Sequence, residues 1–225
     1  MTARARRAVT AVVTTALALS LGACSKVPGV YTYEAAGATA AAGSTPGASG
    51  PFDADAYVAG IWQDKVLPTL DGAAKDAATV LPAIAADATS AATTYGRASS
   101  SGGPATFVVK GSGTVVGVDT SGPQGLLEID LAPGDGTADL GVAVGPAFLG
   151  TALRDALPFI DFSQFTNQID YADVATALNA TVKKDVVAGL DPAAAKGRKV
   201  EFVGAFSLVD PANIALVPVS LKVAP

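Results

Sequence analysis

From Phe52 onward, apolar residues recur at steps of three and four, which is the spacing of a helix that buries one face. Asp53 or Asp55 can cap the first turn by accepting hydrogen bonds from free backbone amides. Pro68 and Pro82 fall inside the pattern, where each removes an amide donor from a helix. We therefore predict two or three helical segments rather than one rod. Their apolar stripe consists of Val58, Trp62, Val66, Leu70, Ala73, Ala77, Val80 and Ile84.

After residue 105 the period changes to two, which is typical of strands with one buried face. The predicted strands cover residues 107–118, 127–131, 138–144, 200–208 and 217–223. Gly111, Gly113 and Gly117 interrupt the first strand. Glycines at such positions favour a bulge or a sharp bend, as in a strand that takes part in both halves of a barrel.

Helical patterns over residues 148–157 and 171–190 separate the third strand from the fourth. The order along the chain is therefore helices, three strands, a helical insertion and two strands. This order predicts an α+β fold in which an N-terminal helical segment packs on a small five-stranded antiparallel OB-like β-barrel. An open antiparallel sheet with helices on one face remains the alternative.

The N-terminal region has the features of an export signal. Arg4, Arg6 and Arg7 precede an uncharged apolar run over residues 8–21, which is too short to span a bilayer comfortably. The sequence Leu-Gly-Ala-Cys at 21–24 resembles a bacterial lipobox, whose Cys is lipidated and becomes the mature N-terminus. We predict a signal peptide over residues 1–23 and a lipid on Cys24, with Sec and twin-arginine export both open.

The segment that follows is rich in Ala, Gly, Ser, Thr and Pro, and it predicts a flexible tether over residues 24–51. A single α+β domain over residues 52–225 completes the predicted organisation. The protein is then held by its lipid at the outer face of the cytoplasmic membrane or in the periplasm. Loss of the three signal-peptide arginines changes the net charge from −5 to −8, so the acidic body is expected to avoid anionic headgroups.

The composition excludes several kinds of chemistry. The 225 residues include no His and one Cys, which removes His-dependent catalysis, His-ligated metals and an internal disulfide framework. A net charge of −5 argues against a nucleic-acid partner. Phosphate-binding loops and the Gly-x-Ser-x-Gly motif are absent from the sequence. We expect no cofactor, no metal site and no catalytic residue.

Polar and aromatic side chains are densest between residues 150 and 168, a mixture that sugar-binding sites use. The candidate ligand-binding or partner-binding residues are Arg154, Asp155, Phe162, Phe165, Thr166, Asn167 and Gln168, together with Trp62. A structural alternative is that Arg154 and Asp155 pair at a helix end while residues 166–168 satisfy backbone groups in a loop. Packing is the first role expected of Trp62, because it lies on the apolar stripe.

Several segments resemble a family of predicted bacterial periplasmic lipoproteins of unknown function. They are residues 61–68, 111–116, 150–155, 162–168, 204–206 and 217–219. The resemblance spans most of residues 52–223 and implies a link to sugar uptake, because genes of such families often lie beside sugar-type ABC transporters. It implies no catalytic residue.

The combined features predict a non-catalytic accessory lipoprotein that contacts components of an ABC transporter. The alternative is a lipoprotein that binds a small molecule, with a sugar as the expected ligand. A carboxylate-based hydrolase is a third reading, although no pair of acidic residues has a spacing that places both at one bond.

The lipoprotein prediction is tested at Cys24. Replacement by Ala (Cys24→Ala) is expected to abolish incorporation of a labelled fatty acid, because no other thiol can accept the lipid. Ser25→Ala is the matched control and should leave the labelling intact. Continued lipid labelling of the Cys24 variant would contradict the prediction.

Overall fold

A computed structural model describes residues 51–99 and 102–224. The predicted signal peptide, Cys24 and the tether lie outside these residues. The chain divides between Gly50 and Pro51, and Pro51–Pro225 forms one compact unit. No helix in the described ranges is both long enough and apolar enough to cross a membrane.

The N-terminal helical region is a series of short segments. They are α1 (Ala54–Ile61), a π-helical segment (Trp62–Val66), α2 (Leu67–Ala73), α3 (Ala77–Ala86) and α4 (Ala88–Tyr95). Asp53 caps α1 by accepting a hydrogen bond of 2.9 Å from the amide of Ala56. Between α2 and α3 lies β1 (Lys75–Asp76), a two-residue strand that the hydrophobic pattern did not indicate.

The π-helical segment explains how the apolar stripe stays on one face. Val58, Trp62, Val66 and Leu70 are four residues apart, and each such step rotates about 40° too far in an α-helix of 3.6 residues per turn. A π-helix has more residues per turn, so the segment corrects this drift. All four side chains are buried. Ala73 is the member of the predicted stripe that is exposed.

Five strands close into a barrel. They are β2 (Thr106–Asp119), β3 (Leu126–Leu131), β4 (Leu140–Ala143), β5 (Lys199–Ser207) and β6 (Ala215–Val223). The hydrogen-bonded order is β2-β3-β4-β6-β5, and β2 also pairs with β5 to complete the ring. The barrel rather than the open sheet is therefore the correct prediction. It is not wholly antiparallel, because β4 and β6 pair in parallel, as does β1 with β2.

The helical insertion lies between β4 and β5, as predicted, and its bounds differ from the predicted ones. It contains α5 (Ala152–Ala156), a 3-10 turn (Phe162–Gln164), α6 (Gln168–Asp185) and α7 (Pro192–Ala195). The first helix was predicted over residues 148–157 and the second over residues 171–190. Instead α6 begins at Gln168, because Asn167 caps it.

The long strand β2 closes the barrel by changing partner along its length. Thr106–Thr114 pairs with β5, and Gly113–Asp119 pairs with β3. Gly113 is paired on both sides, with Leu131 and with Val200. A Cβ atom at Gly113 would lie 2.3 Å from the backbone oxygen of Asp130. At Gly113 only glycine permits the strands to approach this closely, and the pairing register with β3 shifts between Val115 and Gly117, where a bulge was predicted from the glycines.

Two apolar clusters follow from the alternation along the barrel strands. The inner cluster fills the barrel interior and includes side chains of α3. Within it the rings of Phe107 and Phe206 stack with their centroids 5.2 Å apart. The outer cluster joins the π-helical segment and helices α1, α2, α5 and α6 to the outward-facing Val108, Ala205 and Val219. Those helices therefore pack against the outside of β2, β5 and β6.

The close approach at Gly113 gives a test of barrel closure. Gly113→Ala is expected to lower the free energy of unfolding by about 1–3 kcal/mol, because the added methyl group overpacks a backbone contact. Gly60→Ala is the control: it lies in a helix with nothing within 4 Å of the new Cβ, and it should stabilise by about 0.5–1 kcal/mol. Urea unfolding measures both. Equal stability of the two variants would contradict the closure at Gly113.

Candidate functional site

An ion pair lies at the centre of the predicted site. Arg154 donates from Nε and Nη2 to Oδ1 of Asp155, at 2.9 and 2.8 Å. The other carboxylate oxygen of Asp155 accepts a hydrogen bond of 2.7 Å from the Thr151 hydroxyl. Both charged residues belong to α5 and are only 5% and 9% exposed. Their charges are therefore bound to each other rather than presented to solvent.

The rest of the Arg154 side chain is also held by the protein. Its Nη1 donates to the backbone oxygen of Tyr171 at 3.3 Å, and its Cζ lies 3.7 Å from the centroid of the Tyr171 ring. A guanidinium over an aromatic face is a favourable cation–π arrangement. These contacts of Arg154 with Tyr171 join α5 to α6, and the ion pair with Asp155 holds the guanidinium in place for them. This geometry matches the structural alternative for Arg154 and Asp155.

Residues 166–168 form the start of α6. The side-chain oxygen of Asn167 accepts hydrogen bonds from the amides of Ile169 and Asp170, at 2.8 and 2.9 Å. Its amide nitrogen donates to the Asp170 carboxylate at 3.0 Å. Thr166 and Gln168 are exposed on either side. An Asn with an acidic residue three positions later is a helix-start pattern, so the cap was readable in the sequence.

Five aromatic rings gather beside the ion pair, and they come from three separate parts of the chain. Phe165 contacts Phe52, Tyr57 and Tyr171, with ring centroids 5.5, 5.9 and 5.5 Å apart. Phe162 packs edge-on against Tyr171 at 5.6 Å. The structure thus brings together Arg154, Phe162, Phe165 and the start of α6. Trp62, at 4% exposure, lies in the outer core, as its place on the stripe indicated.

Part of this cluster faces solvent. Phe52 is 39% exposed, Phe162 is 48% exposed and Ile169 is 71% exposed. Ile169 lies one helical turn before Asp173, and Asp173 lines a depression of about 480 Å³ together with Phe52. We call the exposed side chains of Phe52, Phe162 and Ile169 the aromatic surface.

Carboxylates lie close to the residues of the aromatic surface along the chain, and Asp53, Asp55 and Asp173 line the depression beside Phe52. Acidic side chains are supplied by Asp53, Asp55, Asp161, Asp170 and Asp173, and neither residues 51–64 nor residues 155–182 contain a Lys or Arg. The hydroxyl and backbone amide of Ser163 donate to Asp161 and lower its pKa. Asp161 is therefore firmly ionised at neutral pH. Burial raises the pKa of the Tyr57 hydroxyl, which stays neutral.

A second concave region was not predicted from the sequence. The outward-facing side of β2, β5 and β6 is covered by helices at one end and open at the other. Cavities of about 690 and 520 Å³ lie along the open part and share Ser112, Ala132, Glu201 and Lys222. The sequence signal for this region was the alternation of polar residues in the three strands. Their adjacency depends on barrel closure, which sequence alone does not reveal.

The acidic loop between β3 and β4 has a structural role. The Asp130 carboxylate accepts hydrogen bonds from the amides of Asp135 and Gly136, at 3.2 and 2.7 Å. Asp139 accepts one from the amide of Leu131 at 2.8 Å. Within residues 51–99 and 102–224, no group of three or more His, Cys, Asp or Glu side chains is arranged to hold a metal ion.

The chain matches a family model described as "Predicted periplasmic lipoprotein (DUF2291)" over residues 14–222. It belongs to this family. The match agrees with the predicted resemblance and with a lipid-anchored protein of the periplasm. None of the curated proteins matches the chain.

A crystal structure supports the barrel independently. An OB-fold protein from Thermotoga maritima has a similar fold, with a TM-score of 0.64 and 20% sequence identity. The similarity covers 78% of this chain and 100% of that protein. At this identity the likeness establishes the fold alone.

The buried ion pair gives a test of how α5 and α6 are held together. Arg154→Met is expected to lower the free energy of unfolding by about 3–5 kcal/mol, because it leaves Asp155 buried and charged without its partner. The double variant Arg154→Met/Asp155→Leu should recover part of this loss. Lys184→Met, at an exposed position on α6, is the control and should change stability by less than about 0.5 kcal/mol. Urea unfolding measures all three variants. If Arg154→Met is no less stable than the control, the two buried charges do not depend on each other.

Proposed function

We propose that this lipoprotein is a non-catalytic interaction protein of the cell envelope, which docks on a protein partner through the aromatic surface. The observation that carries the proposal is the exposure of Phe52 and Phe162, whose rings pack in the aromatic cluster, together with the exposed Ile169 in the first turn of α6. Aromatic side chains on a rigid support are enriched at protein interfaces, where they bury a large area at low entropic cost.

The rigidity of the surface favours this role. Phe162 is held by the 3-10 turn, in which Asp161 and Gln164 form a capping box. Ile169 is held by the capped first turn of α6. The ion pair anchors α6 to α5 underneath. A partner would therefore meet side chains that are already ordered, so less entropy is lost on binding.

The charge around the surface indicates the chemistry of the partner. Five carboxylates around an apolar centre would repel a second copy of the same surface and an anionic lipid headgroup. They would attract a protein face whose apolar centre is bordered by Lys or Arg. We further propose that the partners are components of a sugar-type ABC transporter, which is the link that the predicted family resemblance implies.

The use of the charged groups supports a non-catalytic role. Arg154 and Asp155 are the buried charges of the predicted site, and their hydrogen bonds are made with each other, Thr151 and Tyr171. Asn167 likewise uses its side chain to cap α6. Sugar binding at these residues remains the alternative, and it would require Asn167 or Gln168 to contact the ligand.

Photo-cross-linking in living cells tests the docking role. A photo-reactive residue at Ile169 is expected to give an adduct with a transporter component, and Phe162→Ala should remove that adduct. The matched control is the same residue at Val209, which is 82% exposed and far along the sequence from the aromatic surface. Absence of an adduct at Ile169, or one that persists unchanged in Phe162→Ala, would contradict docking through this surface.

A further inference from the structure

We infer that the open side of β2, β5 and β6 is a binding site for a small organic anion that also carries hydroxyl or amine groups. This site is separate from the aromatic surface, and its argument does not depend on the docking role. It rests on two cavities that share their walls and on the polar side chains that line them.

Strand register brings the lining side chains together. Ser112 on β2 pairs with Glu201 on β5, and Glu201 pairs with Lys222 on β6. One row away, Lys110 pairs with Val203, which pairs with Ser220. Directly opposed residues have Cβ atoms about 4.5–5.5 Å apart, and diagonal neighbours about 7–8 Å.

Lysines supply the positive charge of this face. Lys110 and Lys222 line the cavity of about 690 Å³, and Lys199 and Lys222 line the cavity of about 520 Å³. Among the described residues, a salt bridge joins Arg154 to Asp155. None of these three lysines takes part in one within that part of the chain. Their ammonium groups are therefore available to a carboxylate or phosphate on a ligand.

Four carboxylates also line the cavities, and they divide into two kinds. Asp76 caps α3 by accepting from the amide of Ala78, and Asp130 accepts from two loop amides. Glu201 and Asp71 have no such partner among the described residues, so they can accept hydrogen bonds from ligand hydroxyl or amine groups. A ligand that carries both an anionic group and such donors could bind the lysines and these two carboxylates at the same time.

The size and floor of the cavities fit a small molecule. Volumes of about 690 and 520 Å³ fall within the range of about 300–1,000 Å³ that small-molecule sites occupy. Leu67, Val203 and Val219 provide apolar contact on the side where the helices begin to cover the sheet. The hydroxyls of Ser112 and Ser220 add neutral hydrogen-bonding groups.

Titration calorimetry on the purified full chain in detergent tests the site. The anionic probes are gluconate, ribose 5-phosphate and serine, which separate a sugar acid, a phosphorylated sugar and an amino acid. Glucose is the neutral comparison. We expect at least one anionic probe to bind with a dissociation constant below about 1 mM. Its affinity should fall as the salt concentration is raised.

Lysine variants assign the binding to this face. Lys222→Ala should weaken the binding probe by at least about tenfold, because Lys222 lines both cavities. Lys184→Ala, which removes an exposed lysine outside both cavities, is the control and should bind normally. Phe162→Ala should also bind the probe normally, so a failure of the docking role can be distinguished from a failure of this site. The inference is overturned if none of the three anionic probes binds, if glucose binds equally well, or if Lys222→Ala has no effect.

Discussion

The double pairing of β2 is the constraint on which the rest of the structure depends. A strand that pairs with β5 in its first part and β3 in its second must bend where the two pairings overlap. Gly113 lies in that overlap, and the close backbone of Asp130 leaves no room for a side chain. Closure of the ring separates the inward-facing Phe107 and Phe206 from the outward-facing Val108 and Ala205. Both apolar clusters therefore follow from one bend.

Closure also determines where the two candidate surfaces lie. The helices cover the outside of β2, β5 and β6 at one end because Val108, Ala205 and Val219 are apolar there. Beyond them the same strand faces carry Lys110, Glu201 and other polar residues, so the sheet is left open. The aromatic surface lies where α1, the 3-10 turn and α6 meet. The proposed docking role and the inferred anion site therefore use different surfaces of the domain.

The buried ion pair illustrates how a polar group can organise a site without being exposed in it. Arg154 and Asp155 are held by Thr151 and Tyr171, so their charges are compensated inside the protein. Their effect is to fix α6 and with it the cap at Asn167. The rings of Phe165 and Tyr171 then pack against a stable support. Arg154, Asp155 and Asn167, three of the predicted binding residues, thus hold the helices that support the aromatic surface.

Local patterns in the sequence determined the type and order of the main elements. The four-residue stripe and the period of two are properties of neighbouring residues, as is the lipobox that precedes the domain. The glycines of β2 and the cap at Asp53 could be interpreted in the same way. The small strand β1 and the parallel pairing of β4 with β6 could not, because they depend on partners distant in the sequence.

Tertiary structure alone decided the use of the polar residues that do not cap a helix. Whether Arg154 meets solvent depends on α6, which begins more than ten positions later in the chain, and on the aromatic rings around it. Likewise Lys110, Glu201 and Lys222 become neighbours only through strand register. A sequence lists which charges are present, but burial and pairing, which set the energy of each charge, arise only when distant segments pack together.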